Sequence, residues 1–512
     1  MTSIRRNMIP VGHPFLFAVF PIISMWSSNA GQVSIEEVAA PVTLAVLACT
    51  VLWFALAPVI RARNPRAILL SAFWLIFFCY GTASDYLHEN ILRQSGLYEL
   101  RIAAFNCTLL IAAAAFVYWL IRTSREFSAI TRFLNGLACI SLIFAFGRIG
   151  YWSIQGQLLP RTSLHSQSTS NHQKPNIFLV ILDSYARADF LRDELNFDNA
   201  PFLDALRSRG FYIADQSRSN YSSTMYSLTS LLNMDYLGTL APGHGDDAHL
   251  PPALLKHLID HNAVHDLLKS EGYTLVQFDS GMTFTQLPTA DLRIAPGASF
   301  SSFQRLLIDN TPLRHIGNPP NTRIKRGRWD PVNKDTRVPF ILKNLANIPE
   351  TAQPFIAMAH IYSPHVPHVL MPDGSPRRNP VGFIKGYTEE LRFLNTKMIE
   401  AIDAIQKKFP DSVVIIQGDH GAWRYGMEPL PGWVSTPEMV TRDRTEILNA
   451  YCLPGLPEKS PLYPSITPVN SFRVVFNHYL GMNLPLLPDR TCVYEAESGP
   501  SFWVESIPPA IP

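Results

Sequence analysis

The stretch Asn176-Ile-Phe-Leu-Val-Ile-Leu-Asp183 decides the fold class of the C-terminal two thirds of this chain. It is a short apolar run that ends in a carboxylate, as is typical of a strand buried in a parallel sheet. Similar runs follow at 273–278, 355–359 and 412–416, and the apolar residues of 391–405 recur at helical spacing. Strands that alternate with helices predict an α/β domain with a largely parallel sheet and flanking helices.

Polar side chains stand where these predicted strands end. Asp183 follows the first run, Asp279 the second and His360 the third, and the fourth leads through a glycine into Asp419 and His420. Ligands of open α/β sheets collect at the carboxyl ends of the strands, so most of these side chains are expected to meet at one edge. Asp279, which a serine and a glycine follow, is interpreted as an ordinary turn residue.

The motif Gly418-Asp-His-Gly421 is the sharpest local signal for a metal site. Its aspartate offers a hard oxygen ligand and its histidine an imidazole, and the flanking glycines let the backbone turn tightly. Taken alone, the motif fits a turn with a surface histidine equally well. Its position after a buried strand favours the ligand pair Asp419 and His420.

A second signal is the cluster of His360, His365 and His368, which Pro364 and Pro367 interrupt. The prolines exclude a regular helix, so these histidines are predicted to lie on an extended loop after the third strand. Imidazoles on such a loop suit charge stabilisation or proton transfer to a phosphate-like group. The alternative is a proline-rich loop with surface histidines, an interpretation that suits His368 better than His360.

A third signal is the hydroxyl-rich stretch 219–224, which leads into an apolar segment and is typical of a helix N-terminus. Orphan N–H groups and the helix dipole favour negative charge there, so a nucleophilic alkoxide or a bound anion would be stabilised. The alternative is a simple N-cap. The pattern by itself does not choose among Ser222, Ser223 and Thr224.

The N-terminal third has a different character, since most of its residues are apolar. The whole chain is 47% hydrophobic and only 16% charged, and its net charge of +2 gives no reason to expect a nucleic-acid partner. Four of the five apolar stretches before residue 153 are long enough to cross a bilayer, and the first is shorter. The five are Val11–Trp26, Ala40–Ile60, Ala67–Ser84, Ala103–Ile121 and Phe133–Trp152.

Basic residues occupy alternate gaps between these stretches, at 5–6, 61–66 and 122–132. By the positive-inside rule the N-terminus is cytoplasmic and the chain after Trp152 lies outside. A cleaved secretory signal at the first stretch is the alternative, and it leaves the C-terminal part outside as well. The predicted division is therefore a transmembrane domain at 1–152, a linker at 153–175 and an external domain at 176–512.

Together these motifs resemble the membrane-anchored branch of the alkaline phosphatase/sulfatase superfamily. That branch contains phosphoethanolamine transferases and the phosphoglycerol transferases of the lipoteichoic acid synthase type. The resemblance rests on the segment ending at Asp183, the segment ending at Thr224, the His360–Pro367 stretch and Gly418-Asp-His-Gly421, in that order. The arrangement of about five membrane spans before an external catalytic domain is also similar.

The resemblance implies a single divalent ion, zinc or manganese, held by Asp183, Thr224, Asp419 and His420. It implies that Thr224 is the nucleophile, with Ser223 and Ser222 as close rivals. His360 and His365 fall where such enzymes place catalytic histidines that contact the phosphate.

The implied function is transfer of phosphoethanolamine or phosphoglycerol from a phospholipid donor to an envelope glycan or lipid acceptor. The enzyme would be integral to a bacterial inner membrane, with its catalytic domain periplasmic or extracellular. Two alternatives remain: an ester hydrolase of the sulfatase or phosphodiesterase type, and an inactive scaffold or glycan-binding protein. Residues 219–230 lack the Cys/Ser-Pro-x-Arg context of formylglycine sulfatases, yet Asp183 stands where the transferases usually carry Glu.

Overall fold

The computed structural model groups the residues it describes into two units. One unit comprises Met1–Ile154 with Ser301–Thr322, and the other comprises Gln155–Phe300 with Arg323–Pro512. The described residues are 10–87, 98–123, 127–160, 174–243, 250–297, 300–315, 333–377, 379, 381–424, 436–456, 461–494 and 501–506.

The first unit is a bundle of apolar helices. Four of its described helices, α2 to α5, are long and apolar enough to cross a membrane, and α1 is a shorter apolar helix. Large apolar side chains such as Leu44, Leu110 and Phe144 are 66%, 69% and 71% exposed, as expected of surfaces that face lipid. The predicted N-terminal helical bundle is confirmed. The helices are α1 His13–Ser28, α2 Ile35–Ala55, α3 Arg63–Leu87, α4 Tyr98–Arg122 and α5 Ser128–Gln157.

The second unit is built on a sheet with helices around it. Its strands are β1 Ile177–Leu182, β2 Tyr212–Ile213, β3 Thr274–Phe278, β4 Leu292–Ile294, β5 Phe355–Ile361, β6 Val413–Gly418, β7 Asn449–Cys452, β8 Asp489–Tyr494 and β9 Ser501–Ser506. The helices that follow α5 are α6 Ala188–Leu195, α7 Ala200–Arg207, α8 Thr224–Asn233, α9 Leu237–Leu240, α10 Pro252–Asp260, α11 Ala263–Ser270, α12 Ser302–Asp309, α13 Lys334–Asn344, α14 Phe383–Lys408, α15 Pro437–Thr445 and α16 Pro468–Tyr479. Of these, α12 belongs to the first unit.

Seven strands form one sheet in the order β2-β7-β6-β1-β5-β3-β4. Every neighbouring pair is parallel except those that β7 makes with β6 and with β2. Strands β8 and β9 form a separate antiparallel pair. The predicted α/β fold with a largely parallel sheet is therefore confirmed.

Apolar side chains alternate between the two faces of β1, and each face is covered by helices. Phe178, Val180 and Leu182 pack into a core with α6, α7, α13 and α14. Ile177, Leu179 and Ile181 pack on the other side with α8, α11 and α16. Burial on both faces explains why the strand is continuously apolar. It also leaves the ends of the central strands as the places where polar groups can gather.

The structure differs from the predictions at several positions. β5 extends through Ile361, so His360 lies inside the strand and not on the loop after it, because its register opposite Ile181 keeps it in the ladder. Helix α5 continues past Trp152 to Gln157, into the predicted linker, and residues 161–173 lie outside the described residues.

Candidate active site

Three neighbouring strands bring the predicted site residues to one edge of the sheet. β1 lies between β5 and β6, and Leu182 at its end is level with Ile361 and Gly418. Asp183 therefore leaves β1 beside the end of β5, which carries His360, and beside Asp419, which follows β6. The convergence follows from parallel pairing, because parallel strands end at the same edge.

The side chains of this edge lie within the reach of one small ion. His360 Nε2 is 3.3 Å from Asp183 Oδ2, and His420 Nε2 is 3.5 Å from Asp183 Oδ1 and 3.7 Å from Asp419 Oδ2. Two groups of three have ligand atoms within 4.8 Å of one another, namely Asp183 with His365 and His420, and Asp183 with His360 and Asp419. All are buried except His365, which is partly exposed.

Backbone groups orient the ligand atoms of Asp419 and His420. The N–H groups of Ser184 and His420 both donate to Asp419 Oδ1, each over 3.0 Å, which leaves Oδ2 free to face the cluster. His420 Nδ1 lies 2.9 Å from the carbonyl oxygen of Gly421. A carbonyl only accepts, so Nδ1 carries the proton and Nε2 presents its lone pair.

His365 is held in the same manner. Its Nδ1 lies 2.6 Å from the carbonyl oxygen of Val366, and its backbone N–H donates to the carbonyl of Asp183 over 3.0 Å. The lone pair of His365 Nε2 is therefore available at the cluster.

The buried polar atoms of the cluster that have no hydrogen-bond partner among the described residues include Asp183 Oδ1, Asp419 Oδ2 and His360 Nδ1. A buried polar group without a partner destabilises the fold by about 1–3 kcal/mol, and more when it is charged. Two carboxylates and several imidazoles form a donor set that suits zinc or manganese. The residues present therefore fit a divalent ion.

Burial and the charges within the cluster shift the pKa values of Asp183, His360 and His365. Burial alone would raise the pKa of the Asp183 carboxyl, but His365, His360 and His420 outweigh burial and hold that pKa below its usual value. Burial would lower the pKa of His360, but its bond to Asp183 and the charges of Asp183 and Asp419 raise it. For His365, burial and the neighbouring His420 together lower the pKa. Without an ion, the cluster already favours the ionised form of Asp183.

The hydroxyl segment lies next to the cluster. Thr224 is the first residue of α8, Ser223 is its N-cap residue, and Ser223 makes no side-chain capping bond. The indole N–H of Trp423 donates to the carbonyl of Ser222 over 3.2 Å, and the Trp423 ring is 6.0 Å from that of His420. Thr224 is 9% exposed, whereas the Ser222 hydroxyl is fully buried. Burial therefore argues against Ser222, but it does not separate Thr224 from Ser223, which is partly exposed.

The structure thus brings Asp183, Asp419 and His420 together, as the metal prediction requires. His360 and His365, which were assigned to the phosphate, also lie at ligand distance in the cluster. How these histidines divide between metal and substrate remains a prediction, as does the ligand role of Thr224. Asp279 instead accepts from the backbone of Gly281 over 2.8 Å, which suits its interpretation as a turn residue.

A buried ion pair that no sequence motif indicated lies behind the histidine loop. Lys334 and Glu390 are wholly buried, with Nζ and Oε2 2.6 Å apart. Lys334 also donates to the carbonyls of His365 and Pro367. His368, which the alternative of surface histidines suited better than His360, is buried, and its Nδ1 lies 3.9 Å from Glu390 Oε2. No local motif marks Lys334, because its partners are distant in sequence.

Trp423 is a second residue that the motifs did not reveal. Its φ of +61° is rare for a bulky residue, and the Arg444 guanidinium lies 4.1 Å above its ring. It stands two residues after Gly421, so its closeness to the Asp-His motif was the only available signal.

The family model described as Sulfatase matches residues 175–459. No curated protein matches the chain. Among solved structures, the C-terminal periplasmic domain of EcEptC from Escherichia coli is 13% identical, covers 68% of this chain and 98% of its own, and has a TM-score of 0.43.

Two further solved structures are similar at the same level. The lipoteichoic acid synthase LtaP from Listeria monocytogenes is 15% identical over 65% of this chain and 78% of its own, with a TM-score of 0.38. A putative sulfatase from Bacteroides thetaiotaomicron VPI-5482 is 14% identical over 61% and 72%, also with a TM-score of 0.38.

Proposed function

Because this chain belongs to the sulfatase family, we propose that it is a membrane-bound, metal-dependent transferase of phospho-alcohol head groups. Its donor is a phospholipid that carries phosphoethanolamine or phosphoglycerol, and its acceptor is an envelope glycan or lipid. The observation that carries the proposal is the buried cluster of Asp183, Asp419 and three histidines beside the start of α8. Apolar helices in the same chain favour a lipid donor.

Asp183, Thr224, Asp419 and His420 are the residues that would hold the ion, either zinc or manganese. Such an ion, when bound, lowers the pKa of a hydroxyl and neutralises charge on phosphoryl oxygens. The residues themselves are well suited to this task. The pKa of the Asp183 carboxyl is held below its usual value, and His420 is oriented by the carbonyl of Gly421 so that its Nε2 faces the cluster.

The transfer takes place in two displacements at phosphorus. In the first, the Thr224 hydroxyl gives its proton to His360 or His365 as its oxygen forms a bond to phosphorus, and that histidine passes the proton to the departing diacylglycerol as the bond to the lipid alcohol breaks. In the second, the acceptor hydroxyl gives its proton to a histidine and attacks the phospho-threonine. The bond from phosphorus to the Thr224 oxygen then breaks, and the histidine returns its proton to that oxygen, which regenerates the threonine.

The catalytic domain is proposed to lie outside a bacterial cytoplasmic membrane, with the N-terminus in the cytoplasm. The alternation of basic gaps at 5–6, 61–66 and 122–132 supports this orientation. An external site would meet both a phospholipid leaflet and the envelope acceptor.

Thr224→Ala tests the proposal. The full-length protein is incubated with phospholipid and manganese or zinc, and its intact mass is measured. We expect a phosphoethanolamine or phosphoglycerol adduct on the wild type and on Ser223→Ala, and none on Thr224→Ala. An adduct that survives in Thr224→Ala would move the nucleophile to Ser223 or Ser222.

Hydrolysis of phosphate or sulfate esters is the second candidate function. It is favoured by Asp183, which stands where the similar transferases usually carry Glu. Under this alternative water replaces the acceptor, so phospholipid would be cleaved at the same rate with or without added glycan. Bound metal with no head-group adduct and acceptor-independent release would favour the hydrolase over the transferase.

A further inference from the structure

Residues 301–315 form a segment that packs with the apolar helices, although the chain enters it from β4 and leaves it toward α13. It contains α12 and a 3-10 turn at Pro312–His315. Phe303 and Leu307, one helical turn apart, are 3% and 7% exposed and share a core with Val38 of α2 and Trp74 of α3. The apolar face of α12 is therefore buried in the membrane unit.

Polar contacts fix the segment at the end of α3. The N–H of Gly81 donates to the carbonyl of Asn310 over 2.9 Å, and Arg314 donates to the carbonyl of Gly81 over 3.1 Å. Arg314 also pairs with Asp85 over 3.0 Å. These residues lie in the last two turns of α3, which ends at Leu87. The segment is thus joined to one terminus of that helix by both backbone and charge.

The start of α2 meets the same segment. Gln304 completes a capping box with Ser301 and donates its side-chain N–H to the carbonyl of Glu37, over 3.3 Å. Glu37 lies in the first turn of α2. The beginning of α2 and the end of α3 therefore lie at the same end of the helix bundle. The segment packs at that end, where the spans terminate, and not midway along them.

Gly81 is what allows the close approach. A Cβ added at this position would lie 2.2 Å from the carbonyl oxygen of Asp309 and 2.6 Å from the Cα of Asn310. Both are backbone atoms, which cannot rotate away. A side chain at residue 81 would therefore push the segment off α3.

Two large apolar side chains of the segment remain uncovered, Leu306 at 38% and Leu313 at 43% exposure. They belong to α12 and to the turn Pro312–His315, which pack against α2 and α3, and both of these helices carry large exposed apolar side chains. We propose that the segment 301–315 is a membrane-surface element and that Leu306 and Leu313 contact the lipid bilayer. Amphipathic helices at such interfaces gain affinity from buried apolar area of this kind. The inference does not depend on the chemistry of the catalytic site.

Photolabelling in nanodiscs tests this contact. The full-length protein is reconstituted in phosphatidylcholine that contains a diazirine-bearing phosphatidylcholine, irradiated, and digested with trypsin. Cleavage at Arg305 and Arg314 releases the peptide Leu306–Arg314, and cleavage at Arg132 and Arg148 releases the span peptide Phe133–Arg148. We expect lipid adducts on both wild-type peptides.

Three variants test which residues account for the lipid adduct on the peptide 306–314. Leu306→Gln with Leu313→Gln should lose most of the adduct on residues 306–314 while the span peptide keeps its own. Gly81→Ala should lose it as well, because the segment is displaced. Gly150→Ala, at a helical glycine with nothing within 4 Å of the added Cβ, should keep it.

Three results would overturn the proposal. A wild-type peptide 306–314 without adduct, beside a labelled span peptide, would exclude contact with lipid. Full labelling of the double glutamine variant would show that these two leucines do not make the contact. Equal labelling of Gly81→Ala and Gly150→Ala would show that docking on α3 does not hold the segment at the membrane.

Discussion

Glu390 organises the residues behind the histidine loop through several bonds from one buried carboxylate. Its Oε1 accepts from the backbone N–H groups of Val369 and Leu370 over 2.6 and 3.0 Å, and its Oε2 accepts from Ser363 and Lys334. Burial alone would raise the pKa of Glu390, but Lys334 and His368 outweigh it and lower that pKa. The carboxylate therefore stays ionised and holds both ends of the loop that carries His365.

Replacing one partner of this ion pair should destabilise the protein more than replacing both partners together. We expect Lys334→Met and Glu390→Gln each to cost about 3–5 kcal/mol, because the remaining partner is left charged and buried. The double variant should cost clearly less than the sum of the two. Thermal unfolding of the four proteins in detergent measures the coupling, and additive losses in melting temperature would contradict the pairing.

At the level of elements, the turn after β6 depends on a close approach of two backbones. A Cβ added at Gly421 would lie 2.3 Å from the carbonyl oxygen of Asp443 in α15, and the Gly421 N–H donates to the carbonyl of Arg444 over 2.8 Å. The glycine therefore lets the Asp419-His420 turn lie directly against α15. This explains physically the glycine that the sequence motif places after His420.

We expect Gly421→Ala to weaken both stability and adduct formation. The added methyl group must displace backbone and not a side chain, and overpacking of this kind costs about 1–3 kcal/mol. Gly297→Ala is the matched control, because nothing lies within 4 Å of a Cβ there. Melting temperature and adduct yield are measured for both, and an unaffected Gly421→Ala protein would contradict the close approach.

At the scale of the whole molecule, the chain combines membrane helices with a sulfatase-family domain that fits a divalent ion. An ion that binds only the folded protein stabilises it by mass action, by about 2.7 kcal/mol at one hundred times its dissociation constant. Several buried polar atoms of the cluster have no hydrogen-bond partner among the described residues, so the gain should be visible in the intact protein.

Metal depletion should therefore lower the melting temperature of the full-length protein, and added manganese or zinc should restore it. Asp419→Asn removes one carboxylate from the cluster and should abolish most of that shift. An equal metal-dependent shift in wild type and Asp419→Asn would place the stabilising ion elsewhere.

Sequence patterns were sufficient for the features that depend on local order. Long apolar runs predicted the membrane helices, because a helix must be long and apolar to cross a bilayer. Short apolar runs predicted the strands, because a strand in a parallel sheet is short and buried on both faces. The placement of Asp183, Asp419 and His420 after such strands predicted their convergence, since parallel pairing brings strand ends together. His360 was predicted to lie on the loop after β5, whereas it lies inside that strand. The residue at which a strand ends depends on its pairing with neighbouring strands, and the local sequence does not show that pairing.

The sequence by itself determined the two-part architecture, the α/β class and the core of the candidate site. Only the tertiary structure revealed the Lys334–Glu390 pair, the hydrogen bond from Trp423 to Ser222, and the packing of residues 301–315 with the apolar helices. The physical reason is separation along the chain. The spacing of apolar residues and the polar residues that follow a strand are both patterns among residues close together in sequence. These contacts instead join residues tens to hundreds of positions apart, and no local pattern records a partner that only folding supplies.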